Sequence, residues 1–208
     1  YFRGHYFILI LPAVSILIGA GISCWEQLID TGSKYRQLLM TIPFTLFFGG
    51  VIFSFCQNED FLYYLSPRDA CRFLYGGNPF PESLEIAQYI KEHSTRNDKV
   101  VVLGSEPQIY FYADRLAGTG YIYMYGLMEH QDYASKMQQE MISEIASSQP
   151  LYIILVNCPT SWLVKTNSDK QIFQWIDSYI NNHYSVDGII EIISKDITTY
   201  HWGPLAKH

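Results

Sequence analysis

The stretch GSEPQIYFYADR, residues 104 to 115, packs a carboxylate (Glu106), an amide (Gln108), three aromatic rings and a guanidinium (Arg115) directly behind the apolar run KVVVL. A carboxylate and an amide recognise hydroxyl groups, a guanidinium holds an anion, and a tyrosine offers both a ring face and a hydroxyl. These types together suit a polar or anionic ligand, with Glu106, Gln108, Tyr112 and Arg115 as the binding candidates. A purely structural account covers part of the same stretch. Ser105 with Gln108 fits a capping box, Pro107 suits a first helical turn, and Glu106 complements the helix dipole. That account leaves Tyr110, Tyr112 and Arg115 unexplained.

Downstream, GYIYMYG (120 to 126) sets Tyr121, Tyr123 and Tyr125 at period two. On a strand they would share one face, which suits stacking on a sugar and equally suits a half-buried face against a membrane or a partner. Asp114 and Glu106 form a lone carboxylate pair, a pattern commoner on solvated surface than at an active site. No G-x-S-x-G, P-loop or H-E-x-x-H occurs, and GTGYIY lacks the third glycine of a dinucleotide fingerprint. The six histidines are dispersed, and Cys24, Cys56, Cys71 and Cys158 show neither metal-ligand spacing nor a disulfide framework. No metal ligand and no cofactor is assigned.

The elements that must position these residues follow from periodicity. PESLEIAQYIKEHS (81 to 94) places Leu84, Ile86, Ala87 and Ile90 near helical spacing. KVVVLG (99 to 104) reads as a buried strand and GYIYMYG as a second. YASKMQQEMISEIASSQ (133 to 149) predicts a long helix with Met137, Met141, Ile142 and Ile145 on one stripe. LYIILVN (151 to 157) predicts a strand, KQIFQWIDSYINNHY (170 to 184) an amphipathic helix and IIEIIS (189 to 194) a last strand. Strands alternating with helices imply βαβ units and a mostly parallel sheet, here a small Rossmann-like α/β domain. Ligands bind such sheets beyond the carboxyl ends of the strands, the position GSEPQIY takes after KVVVL.

Ahead of this domain the composition is different. Tyr6 to Trp25 and Gln37 to Asn58 carry no charged residue, and each run is about the 20 residues needed to cross a hydrocarbon core roughly 30 Å thick. Pro12 lies inside the first run and no A-x-A-like site follows, which disfavours a signal peptide. Buried helices of a soluble core are disfavoured too, because they rarely lack charge on every face. The reading is two transmembrane helices at about 6–25 and 37–57 within residues 1–58, joined by a short connector, then an α/β domain over 59–208. Lys34 and Arg36 favour a cytoplasmic connector, but Arg3, Arg68 and Arg72 on the other side nearly balance them. Only Arg3, Lys34 and Arg36 among the 14 Lys and Arg, and only Glu26 and Asp30 among the 20 Asp and Glu, precede residue 57. The remaining 11 cations face 18 carboxylates, which argues against a nucleic-acid surface. A chain that begins at Tyr1 and enters an apolar run almost at once is read as the end of a longer protein.

FRGHYFILILPAVSILIGAGI, GGNPFPESLEIAQYIKEHS, VVVLGSEPQIYFYADR, YIYMYGLMEHQDYASKMQQEMISEI and SWL resemble the C-terminal end of bacterial membrane glycosyltransferases of family 39. These are the protein O-mannosyltransferase-like and aminoarabinose-transferase-like enzymes of the GT-C superfamily. The resemblance runs through most of the chain and is most specific over 76–145. It implies a multi-pass enzyme of the bacterial cytoplasmic (inner) membrane that moves a sugar from a polyprenyl-phosphate donor to a lipid, glycan or protein acceptor. It also implies a cytoplasmic connector, an extracytoplasmic (periplasmic) 59–208 domain, and membrane lipid and the rest of the transmembrane region as partners. The family's catalytic carboxylate belongs to an early loop upstream of this stretch, so no catalytic residue is assigned here. Arg3 and His5, at the outer mouth of the first span, are candidates for holding the leaving phosphate, with interfacial anchoring beside Tyr1, Tyr6 and Phe7 as the competing role. Two further readings stay open: a membrane-tethered binding or sensor module, and a structural domain that binds nothing.

Overall fold

The computed structural model describes residues 4–30 and 32–207, and the side chains of 7–30 and 32–206. It divides into two compact units, Tyr1–Leu65 and Ser66–His208.

In the first unit a 3-10 stretch, Gly4–Ile10, leads into α1 (Leu11–Leu28), and α2 follows at Arg36–Gln57. Phe7–Leu28 and Arg36–Gln57, each 22 residues with mean hydropathy 2.4 and 2.0, are long and apolar enough to cross a membrane. Neither helix buries a residue. Side chains such as Leu9, Leu17, Leu46 and Phe53 stand open on the helix surfaces, an arrangement that asks for an apolar surrounding. Pro12 does not interrupt a helix, since it falls in the first turn of α1, where its missing N–H costs nothing. Pro43 lies inside α2. At the connector the Trp25 indole donates to the Leu39 carbonyl at 3.0 Å, joining the two helices.

In the second unit three strands, β1 (Lys99–Leu103), β2 (Leu116–Ala117) and β3 (Tyr152–Leu155), make a parallel sheet in the order β2-β1-β3. β1 is central and buried on both faces. Val100 and Val102 pack with Ile86, Ala87 and Ile90 of α4 (Glu82–Glu92) and with Ile109, Tyr110 and Ala113 of α5 (Gln108–Ala113). Val101 and Leu103 pack on the other face against α6 (Tyr125–Met128), α7 (Ala134–Ser148), α8 (Pro159–Trp162) and α9 (Gln171–His183). This alternation is the period-two pattern of a strand covered by helices on both sides. β2 is too short to cover all of β1, and the Tyr110 hydroxyl accepts the Val102 N–H at 2.7 Å. That bond occupies Tyr110 with the core, and burial raises its phenol to a pKa of about 12.

Three expectations are corrected. GYIYMYG is not a strand: 121–124 are irregular and α6 begins at Tyr125. Side chains take the N–H groups that a ladder would use. Glu144 accepts Gly120 N–H at 2.8 Å, Thr119 accepts Tyr121 N–H at 3.1 Å and Ser105 accepts Met124 N–H at 3.0 Å. Ser105 is therefore not a helix cap, and α5 starts three residues later, without a side-chain cap. The last predicted strand exists as β4 (Gly188–Ile192), but it pairs antiparallel with β5 (Thr198–Trp202) in a separate two-stranded sheet. Trp202 stacks on Tyr89 at 4.1 Å, and a Cβ at Gly188 would collide with its indole, so glycine is required there for the hairpin to seat this ring.

Candidate functional site

The loops that leave the carboxyl ends of β1 and β3 meet at Gly104–Glu106 and Cys158–Ser161. The Ser161 hydroxyl donates to Glu106 Oε2 at 2.7 Å and accepts the Ser105 N–H at 2.8 Å. This chain of bonds locks the two loops together. Glu106 and Ser161 are almost fully buried, so they form the floor of the site and position other groups. Burial raises the Glu106 pKa above its ordinary 4.5, while the bonds from Ser161 and from the Ser105 backbone oppose the rise. Gly104 is required by this closeness: a Cβ there would come within 2.8 Å of Ser161 Oγ and of Val156 Cβ.

Above the floor lie groups that solvent reaches. Cys158 Sγ and Thr160 Oγ1 are 3.0 Å apart, and the Thr160 hydroxyl donates to Asn78 Oδ1. Tyr125 donates to the Thr160 carbonyl at 2.7 Å, and its ring lies 4.4 Å from that of Tyr123. Asn78 belongs to the loop between α3 (Pro67–Tyr75) and α4. Ser66 caps α3 by accepting the Asp69 N–H at 3.2 Å, and the helix ends at Gly76, whose φ of 60° favours glycine. Arg72 of α3 holds the loop, donating to Gly76 O at 3.3 Å and Asn78 O at 3.1 Å. The same guanidinium forms a buried ion pair with Glu82, which also accepts the Thr198 hydroxyl at 2.7 Å. The arrangement presents amide, hydroxyl and thiol groups over a fixed floor, which is chemistry for binding a polar, hydroxyl-bearing ligand. Among the described residues, no three His, Cys, Asp or Glu side chains gather as a metal site needs.

The predicted binding residues do not all converge. Glu106 lies in the floor, and Gln108 beside it donates to the Ser83 hydroxyl at 2.9 Å. Tyr112 is 44% exposed and pairs edge-on with Phe111, on α5. Arg115 stands at the other edge of the sheet, since Leu116 is in register with Lys99 at the start of β1. At ~3.3 Å per residue, β1 separates the two edges by about 16 Å. Arg115 is occupied there, donating to Ser94 Oγ, Ser94 O, Lys91 O, Ala113 O and Asp114 O at 2.8–3.0 Å. Asp114 does not face Glu106; it lies near the exposed Arg96 at 3.4 Å. Tyr121 donates to Glu140 and Tyr125 to the loop after β3, so these tyrosines share no sheet face. Arg3 and the side chain of His5 lie outside the described residues.

Sequence reasoning missed Asn78, Cys158, Thr160 and Ser161. For the last three the signal was present: CPTS follows LYIILVN just as GSEPQ follows KVVVL, and the rule that marks one loop marks the other.

No family model, curated protein or solved structure matches the chain.

The raised Glu106 pKa sets a pH dependence. Well below pH 4.5 the carboxyl is protonated in both folded and unfolded chains. As pH rises the unfolded chain ionises first, so folding stability falls until pH passes the raised folded value, and then levels. Glu106→Gln is expected to remove this fall, leaving a flatter profile in urea titrations between pH 4 and the neutral range. A variant profile parallel to wild type would show that Glu106 is not the source.

Proposed function

We propose that the chain is the C-terminal hairpin and extracytoplasmic domain of a membrane glycosyltransferase using a polyprenyl-phosphate sugar, in which the Rossmann-like domain recognises the acceptor or sugar rather than performing the chemistry. The observation that carries the recognition role is the locked pair of loops at the carboxyl edge of the parallel sheet, with Asn78, Cys158 and Thr160 accessible above Glu106 and Ser161. Two helices long and apolar enough for a membrane support the anchoring. The donor and the reaction come from the family 39 resemblance alone, as do the inner-membrane location and the catalytic carboxylate elsewhere in the parent chain.

The test is sugar transfer from a labelled polyprenyl-phosphate donor in membranes carrying the full-length protein. Thr160→Val, which keeps the shape and removes the hydroxyl, is expected to lower transfer about tenfold, equivalent to one lost hydrogen bond of about 1.4 kcal/mol. Arg115→Ala is expected to lower the amount of folded protein but not transfer per molecule. The reverse pattern would move the site to the other sheet edge. Absence of transfer by the wild-type protein would favour the tethered binding module, whose ligand the same loops would then hold.

A further inference from the structure

We infer that the Ser66–His208 unit rests on a lipid surface through the outward side of α3 and the turn between β4 and β5. This needs the two apolar helices to lie in a membrane, but it does not need the transferase reading. Phe73 and Leu74 of α3, and Ile193 and Ile197, which flank the turn, are each more than half exposed. The two apolar patches are neighbours. Arg72 donates to the Thr198 hydroxyl at 3.3 Å, and Thr198 follows Ile197 directly. Arg72 is buried, and Phe73 and Leu74 stand about 100° and 200° further round the helix, on its open side. The turn itself suits a dry surrounding. Ile197 O accepts the Ile193 and Ser194 N–H groups at 3.0 and 3.1 Å, and the Ser194 hydroxyl accepts those of Asp196 and Ile197 at 3.2 and 3.1 Å. Backbone groups beside acyl chains find no water, so a turn that satisfies them internally sits there at little cost.

Chain connectivity names the occupant. Residues 58–66 join the end of α2, a helix of membrane-spanning length, to the start of α3. At roughly 3.5 Å per residue this segment reaches at most about 35 Å from the last residue of α2. A tether that short keeps the apolar patches at an effective concentration on the order of millimolar towards the bilayer, so a few side chains suffice to hold them there. Tyr63 and Tyr64, in the same segment, are exposed, and tyrosine is enriched where membrane meets water. Charge adds no preference for anionic lipid. Arg68 is followed by Asp69 and Lys195 by Asp196, all four exposed, so each element is locally balanced and the contact is apolar.

The experiment is tryptophan quenching in the 208-residue chain reconstituted into phosphatidylcholine vesicles, with and without lipid brominated near the headgroup end of its acyl chains. Leu74→Trp and Ile193→Trp each add an indole, and subtracting the parent chain's emission isolates it. An apolar face at the interface sits about 5–10 Å into the boundary of headgroups and acyl chains, so each added indole is expected to lose about half of its emission. Leu116→Trp, on an exposed leucine at the opposite edge of the three-stranded sheet, is expected to lose little. Ile193→Ser with Ile197→Ser, two exposed changes, is expected to return most of the emission at Leu74→Trp. Added phosphatidylglycerol or salt is expected to leave the quenching as it was. Quenching of Trp25, in α1, without quenching at Leu74→Trp beyond that at Leu116→Trp overturns this inference alone. Absence of quenching at Trp25 as well overturns the membrane anchoring with it. Shielding of the added indoles that rises with the ratio of protein to lipid assigns the face to a second copy, and quenching that requires phosphatidylglycerol assigns it to charge; either result overturns the inference.

Discussion

Arg72→Met is expected to destabilise the Ser66–His208 unit by about 3–5 kcal/mol, the usual cost of leaving one partner of a buried ion pair uncompensated. Arg72 is 4% exposed and Glu82 fully buried. The variant strands the Glu82 carboxylate with only the Thr198 hydroxyl as a side-chain donor, and it releases the Gly76 and Asn78 carbonyls. Three elements lose their common tie, since Arg72 sits on α3, Glu82 opens α4 and Thr198 begins β5. The pair is not optimally satisfied, because Arg72 Nε and Glu82 Oε2 have no hydrogen-bond partner among the described residues. Arg72→Met with Glu82→Leu is accordingly expected to recover most of the loss, as apolar replacements of buried pairs do. Urea unfolding followed by tryptophan fluorescence reads both variants. A single variant within 1 kcal/mol of wild type would mean that water already reaches this pair.

Gly104→Ala is expected to cost about 1–3 kcal/mol through overpacking and, on the proposed transferase reading, to reduce sugar transfer far more than stability. The new methyl has no room beside Ser161 Oγ and Val156 Cβ, each 2.8 Å away, so the loops after β1 and β3 must part. Parting them breaks the bonds from Ser105 N–H to Ser161 and from Ser161 to Glu106. Thr160 then moves with Ser161, and a shift on the order of 1 Å in a positioning group costs about a hundredfold in rate. The paired measurement is transfer per folded molecule together with the urea midpoint. A drop in midpoint with transfer per molecule intact would show that the two loops do not form the working site.

What the sequence determined by itself is the part governed by composition and short-range period. Two charge-free runs declare helices of membrane-spanning length, KVVVL and LYIILVN are apolar runs of strand length, and the Met141–Ile145 stripe carries the helical period. Local pattern could place GSEPQ at the end of a strand, because that placement follows from chain order alone. It could not tell how Ser105 would be used, since the N–H it accepts belongs to Met124, 19 residues on. Nor could it see that Gly120 N–H and the Thr119 hydroxyl would be claimed by Glu144 on α7, which cancels a strand the tyrosine spacing favours. Arg115 and Glu106 are nine positions apart in the chain, yet the register of Leu116 with Lys99 sends them to opposite sheet edges. Asn78 and Thr160 are 82 positions apart and share a hydrogen bond. Apolar burial acts on each segment according to its own residues, so the elements are written locally. Polar groups are satisfied by whichever partner the packed chain brings within hydrogen-bond reach, so the site was decided only by the tertiary structure.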